Sequence, residues 1–308
     1  MSNQFHPPSS KALKGKVIVL TGGAIGIGAC LVRLLHQAQA HVFFGDVLDE
    51  PAIALEKELN SDGAMVEFVH CDVTSYAENL ALFDAAFQAF GRIDHAISNA
   101  GLGEQGNIVS PELTLESVRE EPTSNLRAVD VNLKGPIYFG RLASVYLRQS
   151  AGGNDDHEGN DKSLTFTSSV AAFREDPGLY VYTASKHGVM GWMRALRSTL
   201  SQTTPHAIRT NTVCPWMTRT RMAEGIAQAW DDTGLPGNMP EDVAKILMGV
   251  VADSSLTGEA VYVEGGRGWK IEQAKIDLRP QWLGERQTKD LDEGTRALGG
   301  GEGWIKGQ

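Results

Sequence analysis

The chain has 308 residues, 42% apolar and 21% charged, enough for one large α/β domain or two small ones. Its 28 Lys and Arg against 38 Asp and Glu leave a formal net charge of −10 with no offsetting basic cluster, which argues against nucleic acid or an anionic membrane as partner. No apolar run reaches the ~18 residues of a membrane span.

Residues 1–14, MSNQFHPPSSKALK, lack the apolar core of a signal peptide and read as a flexible lead-in. KVIVLT (16–21) is expected as a buried strand and 26–40 as a helix, followed by a strand at HVFFGD (41–46) and a helix over 51–60. MVEFVHCD (65–72) reads as a strand, 76–90 as a helix and IDHAISNA (93–100) as a fourth strand. A helix over 125–149 precedes the strand SLTFTSS (163–169), and a helix over 180–202 precedes AIRTNTVCP (207–215). EAVYVEGG (259–266) reads as the last strand. Strands alternating with helices imply parallel pairing with helices on both faces, an α/β doubly wound sheet in one domain over 15–268.

Two segments break the rhythm. SAGGNDDHEGNDKS (150–163) is polar and Gly/Asn/Asp-rich, and reads as a flexible surface insertion. After Gly268 no sheet-like alternation remains. Residues 269–308 carry Trp269, Trp282, Leu283 and Trp304 among charges, and read as a C-terminal extension packed on the core or on a partner subunit. Cys30, Cys71 and Cys214 are scattered and odd in number, which fits a reducing, cytoplasmic setting and small buried side chains. The eight histidines show no ligand spacing, so no metal site is expected.

The first strand runs into TGGAIGIG (21–28), with Gly22, Gly26 and Gly28 spaced G-x-x-x-G-x-G. Glycines allow a sharp turn and close backbone approach, and the helix that follows presents free N–H groups to a phosphate. Asp46 ends the second strand, where a carboxylate can accept from the ribose hydroxyls of an adenosine. Asp72 ends the third strand, placed either to reach the adenine edge or to cap the next helix. Asn99, Ala100 and Gly101 end the fourth, where glycine lets the chain pass close to a cofactor. Further on, YTASK (182–186) sets Tyr182 and Lys186 one helical turn apart. An ammonium there would lower the phenol's pKa.

In register, these motifs resemble the short-chain dehydrogenase/reductase family over about Lys16 to Gly266, with a texture similar to fungal members acting on secondary metabolites. The resemblance implies a Rossmann-type fold and a nicotinamide cofactor, and Asp46, with Ala24, Ile25, Val47 and Leu48 and no Arg or Lys where NADP-preferring members carry one, points to NAD. It implies a catalytic set of Asn132, Ser169, Tyr182 and Lys186. The family's serine stands about thirteen residues before its tyrosine, which selects Ser169 over Ser168. Asn132 would hold a water in a proton path through Lys186. Cofactor contacts carried over are Thr21, Gly22, Gly26, Ile27, Gly28, Asp46, Asp72, Val73, Asn99, Ala100, Gly101, Tyr182, Lys186, Pro215, Thr218 and Thr220. Where the family has P-G-x-V-x-T, this chain has PWMTRT (215–220), so Trp216 replaces glycine and puts the local loop geometry in doubt.

Residues 216–240 occupy the family's substrate-lid position. Met222, Ile226, Trp230, Leu235 and Met239 lie there among charges, which implies a bulky apolar alcohol or ketone such as a polyketide, terpenoid or steroid-like ring. The bland alternative is that they pack on the sheet. Family members form homodimers or homotetramers through helix faces, and Leu142, Val145, Val189, Met193 and Leu196 permit that here. A non-redox member that keeps the fold for regulation or rearrangement is the alternative function. It has no need of the four catalytic residues together.

Overall fold

Val17–Thr21 is buried along its whole length, because Val17 and Val19 face one layer of helices while Ile18 and Leu20 face the other. A strand covered on both faces reads as a continuous apolar run, and KVIVLT is one. The computed structural model describes residues 3–60, 65–150, 161–202 and 207–297.

The strands are β1 (Gln4–Phe5), β2 (Val17–Thr21), β3 (His41–Asp46), β4 (Val66–His70), β5 (His95–Ser98), β6 (Lys162–Thr167), β7 (Ile208–Pro215), β8 (Ala260–Glu264) and β9 (Arg267–Lys270). The helices are α1 (Gly26–Gln37), α2 (Asp49–Leu59), α3 (Tyr76–Phe90), α4 (Thr123–Val129), α5 (Gly135–Tyr146), α6 (Tyr180–Leu200), α7 (Ala227–Asp231), α8 (Pro240–Ala252), α9 (Glu272–Asp277), α10 (Arg279–Leu283) and α11 (Glu285–Ala297). The sheet order is β1-β9-β8-β7-β6-β5-β2-β3-β4. Every pairing from β4 to β8 is parallel, and β9 joins β8 and β1 antiparallel. The chain steps from β2 outward to β4, then returns to the other side of β2 at β5. The crevice above the C-terminal ends of β2 and β5 is therefore the switch point where a doubly wound sheet binds ligands. The helices α1, α2 and α8 cover one face, and α3, α5 and α6 the other.

Several expected boundaries shift. The lead-in is built into the domain: Gln4 and Phe5 pair with Trp269 and Gly268, and Phe5 and Leu13 are buried. Its anchor is β9, an antiparallel partner whose paired residues lie 263 and 265 positions away (268 − 5 and 269 − 4), which local composition cannot reveal. EAVYVEGG is not the last strand, since Gly265 and Gly266, both at positive φ, turn the chain straight into β9. Trp269 of the supposed extension thus lies in the sheet, whereas Trp282 is exposed and Trp304 falls outside the described residues. Most of the polar insertion, 151–160, also falls outside them, but Asp161 to Ser163 belong to the sheet's buried ionic edge. Among the residues considered for subunit packing, Leu142, Val189 and Met193 are turned into the core, and Val145 is exposed. No helix among the described residues is long and apolar enough to cross a membrane.

Candidate active site

The glycine loop closes over the end of β2. Gly22 and Gly26 sit at φ 71° and 59°, conformations that L side chains rarely adopt. A Cβ on Gly28 would lie 1.8 Å from the Gly22 carbonyl oxygen, and one on Gly22 would lie 2.6 Å from Ala100 Cα. Gly23, which the motif spacing passes over, is equally constrained, with Phe44 2.5 Å from its would-be Cβ. Ile25 precedes α1 and gives no side-chain cap, so the first-turn amides have no side-chain acceptor. Ile27 packs against the core beneath them. A tight glycine cradle ahead of an uncapped helix start fits a dinucleotide's phosphates.

Around this loop the other expected residues interlock. Thr21 Oγ1 accepts from the Asn99 and Ala100 amides at 3.2 and 3.4 Å. Asn99 donates to the Gly22 carbonyl at 3.0 Å and accepts from Thr167 Oγ1 at 3.1 Å, so it bridges the ends of β2 and β6. The Asp46 carboxylate accepts from Ala24 N–H at 3.0 Å and Leu48 N–H at 3.1 Å, fixing the loop to the end of β3. Asp72 Oδ1 accepts from Thr74 N–H at 2.9 Å in a turn ahead of α3, but the cap of that helix is Ser75, so Asp72 does not take the capping role. Val73 is buried against Gly135. Pro215 ends β7. Beyond it Thr218 Oγ1 donates to the Trp216 carbonyl at 2.9 Å, and the Thr220 methyl lies 3.6 Å from where a Gly26 Cβ would be. The strap after β7 therefore reaches over the glycine loop despite Trp216.

Tyr182 and Lys186 lie on the first turns of α6, beside the end of β6. The two serines separate by role. Ser168 Oγ donates to the Lys186 carbonyl at 3.0 Å and pins the helix backbone, whereas Ser169, whose Oγ accepts from Ala171 N–H at 3.2 Å, acts on the Tyr182 phenol. Lys186 is buried, donates to the Thr167 carbonyl at 3.2 Å, and sits 5.6 Å from the centre of the Tyr182 ring. Burial pulls its pKa down to about 8. Burial also pushes the Tyr182 phenol up, with the Ser169 hydrogen bond opposing and Asp176 and Cys214 adding to the rise. The sequence pattern led us to expect the reverse, a phenol lowered by Lys186. Desolvation outweighs an ammonium that lies over the ring face and is itself weakened by burial.

Asn132 corrects a second expectation. The helix over 125–149 is broken by a π turn, Asp130–Lys134, between α4 and α5. There Asn132 accepts from Leu102 N–H at 2.7 Å and donates to the Leu102 carbonyl at 2.8 Å and Ser185 Oγ at 3.1 Å. Both amide hydrogens are spent, so the side chain has no donor left for a water. A π turn shifts each amide to the fifth carbonyl back and leaves a carbonyl outside the regular ladder, a backbone acceptor in its place.

The segment 216–240 is anchored by Asn238, which carries no motif. Asn238 is buried and donates to the Met217 and Val263 carbonyls, each at 3.1 Å. Arg219 pairs with Asp231 within the same segment. Trp216 meets Trp230 edge-on at 4.8 Å, and Tyr262 links Trp216 to Phe173. Met222, Ile226, Leu235 and Met239 are exposed and do not pack on the sheet.

A sheet of this order, with its glycine cradle and a Ser–Tyr–Lys cluster at the switch point, is that of a nicotinamide-dependent oxidoreductase. The model of the short chain dehydrogenase family matches residues 16–230, and the chain belongs to the short-chain dehydrogenase/reductase family. It is 31% identical over 296 residues to the short-chain dehydrogenase/reductase prx4 of Penicillium rubens, covering 90% of this chain and 82% of that one. It is 30% identical over 292 residues to 5'-hydroxyaverantin dehydrogenase stcG of Emericella nidulans, covering 89% and 92%. Among solved structures, it superposes with TM-score 0.68 on a 3-ketoacyl-(acyl-carrier-protein) reductase from Brucella melitensis complexed with NADH, at 25% identity over 82% of this chain and 98% of that one. A short-chain dehydrogenase from Burkholderia cenocepacia in complex with NADP gives 0.67, at 26% identity over 83% and 98%. The fold thus binds a nicotinamide dinucleotide.

Proposed function

We propose that the protein is an NAD-dependent dehydrogenase or ketoreductase that interconverts a bulky apolar secondary alcohol and its ketone. The observation that carries this reading is the meeting of Ser169, Tyr182 and buried Lys186 at the switch point, with Lys186 5.6 Å from the centre of the Tyr182 ring. Bound in the cradle of Gly22, Gly26 and Gly28, the nicotinamide cofactor supplies the hydride chemistry. In oxidation Tyr182 takes the proton of the alcohol hydroxyl as its own phenol proton passes to the relay behind it, and in reduction both transfers reverse. Ser169 donates to the substrate oxygen and steadies its developing charge. Lys186 holds the proton relay behind Tyr182, and the backbone of the π turn around Asn132 is the acceptor for a water on that path.

Asp46 supports the choice of NAD. Its two oxygens each accept one backbone amide, which leaves lone pairs for a ribose hydroxyl. A 2′-phosphate ~4 Å from that carboxylate would be repelled by ~4 kcal/mol at an effective dielectric near 20. Ala24, Ile25, Val47 and Leu48 offer no compensating cation. The aromatic wall of Phe173, Trp216, Trp230 and Tyr262 and the exposed apolar lid favour a large ring substrate, in keeping with the hydroxyaverantin dehydrogenase relative. A homodimer or homotetramer is the assembly expected of such an enzyme.

Two measurements test the reading on a panel of ring alcohols and ketones. Tyr182→Phe should lower kcat by ~10²–10⁴-fold with dinucleotide binding retained. A variant that keeps more than about half of the wild-type kcat removes Tyr182 from acid–base chemistry, whose contribution is of that order. Asp46→Ser should erode a preference of ~10²-fold for NAD over NADP in kcat/KM, the size left after screening of the repulsion. An unchanged ratio shows that this carboxylate does not read the ribose.

A further inference from the structure

Glu104 stands in the loop that leaves β5, three residues beyond the N-A-G turn. Its Oε2 accepts from the backbone N–H of Tyr182 at 2.7 Å, and its Oε1 from that of Val181 at 3.2 Å. Helix α6 starts at Tyr180 after Leu179, which provides no side-chain cap. A helix normally takes its cap from the residue just before it. Here the acceptor comes from a loop 77 and 78 residues earlier in the chain, on the cofactor side of the crevice.

That loop is itself held. Asn132 fixes Leu102 by two hydrogen bonds, and a Cβ on Gly101 would lie 3.5 Å from Lys186 Nζ. Gln105 O accepts from Asn125 of α4. Glu104 therefore ties the first turn of α6 to a rigid segment that borders both the glycine loop and Lys186. A carboxylate at a helix N-terminus also suits the helix dipole.

We propose that Glu104 is a positioning residue that sets the height and rotation of the first turn of α6, and so the place of the Tyr182 phenol oxygen over the crevice. The inference rests on the reading of Tyr182 as the acid–base group. Without the cap, the first turn frays and the phenol samples positions away from the substrate oxygen, while the glycine cradle is untouched.

The test compares wild type, Glu104→Ala, Glu104→Gln and Tyr182→Phe for kcat, KM, NAD dissociation constant and amide hydrogen exchange at Val181 and Tyr182. Glu104→Ala should lose ~10–100-fold in kcat, as expected for a misplacement of about 1 Å, with the NAD dissociation constant within ~2-fold of wild type. Exchange at Val181 and Tyr182 should rise while that at Met190 and Met193, deep in the same helix, stays slow. Glu104→Gln keeps one neutral acceptor for the Tyr182 amide but loses the second acceptor and the charge, and should lose only ~3–10-fold in kcat.

Equal losses in kcat and NAD affinity, or a Gln variant no better than Ala, would mean a merely structural role and overturn the proposal. So would a fully active Glu104→Ala beside an inactive Tyr182→Phe. An active Tyr182→Phe instead overturns the acid–base reading, and the positioning role falls with it. Should Glu104→Ala fail to fold, Glu104→Gln decides alone: a ~3–10-fold drop in kcat at unchanged NAD affinity supports the role, and wild-type kcat overturns it.

Discussion

Each end of the central sheet buries a lysine. At the N-terminal end of β6, Lys162 Nζ donates to Asp94 Oδ1 at 3.0 Å and to the Ile93 carbonyl at 2.8 Å. Asp94 also accepts from Val17 N–H at 2.8 Å and from Arg92. Burial alone would raise the Asp94 carboxyl, yet the Lys162 charge and these hydrogen bonds hold it below its usual range. Beside them Arg209 meets Asp161 through two hydrogen bonds of 2.6 and 2.7 Å and donates to three carbonyls. At the opposite end Lys186 has one carbonyl partner, at 3.2 Å, and no carboxylate among its hydrogen bonds. The first lysine is compensated and serves the fold. The second carries an uncompensated cost of desolvation, the condition under which a cation stays responsive to proton transfer beside it.

Removing the compensation from the first site should have the largest effect on stability. Asp94→Ala leaves the Lys162 ammonium buried without its counter-ion and should cost ~3–5 kcal/mol, read from the midpoint of urea unfolding. A loss below about 1 kcal/mol, the worth of a surface pair, would show that the two ends are not different in kind.

His95 sharpens the same contrast through pH. It lies between β2 and β6 with Nδ1 2.9 Å from Ser163 Oγ, facing Asp94, Asp161, Arg209 and Lys16. Burial lowers its pKa from 6.5 to about 4. Between those values the unfolded chain binds a proton that the folded chain does not, so stability present above pH 6.5 is lost as the pH falls toward about 4. The full swing is about 3 kcal/mol. Denaturation at the two ends of that window should show a smaller acid loss for His95→Gln than for wild type. Equal losses would remove His95 as a source of acid sensitivity.

The smallest effect has the opposite sign. Lys186→Met removes a buried cation whose pKa has been pulled down to about 8. Below pH 8 the folded state carries a charge it disfavours, worth about 3 kcal/mol relative to an ordinary lysine. The Thr167 carbonyl loses its partner, a cost of ~1–2 kcal/mol. The variant should therefore be inactive and yet ~1–2 kcal/mol more stable at neutral pH, measured by thermal or urea unfolding. A destabilised variant would place Lys186 with Lys162, as architecture.

What could be read without coordinates depended on distance along the chain. The glycine loop, N-A-G and Y-x-x-x-K are each contained within eight residues or fewer, and their backbone demands are local. Gly28 must be glycine because the Gly22 carbonyl lies six residues before it in the same turn. Ser169 and Ser168 are neighbours of one type, and only the twist of the chain after β6 turns one to the phenol and the other to the Lys186 carbonyl. Asn132 was legible as a site residue but not as a stitch to Leu102, which arrives from another strand.

By itself the sequence determined the alternation of strands and helices, the doubly wound class, the glycine loop after the first long strand and the spacing of Tyr182 and Lys186 by one helical turn. The first two follow from apolar periodicity and the glycine loop from conformations that act over one or two turns of chain, whereas the tyrosine–lysine pair was picked out by the family resemblance. Tertiary structure alone decided that Gln4 and Phe5 join the sheet through β9, that a π turn interrupts the helix at Asn132, and that Glu104 caps the helix of Tyr182. It also decided the direction of the Tyr182 pKa, because desolvation is set by everything packed around a group, whereas spacing reports only the charge one turn away.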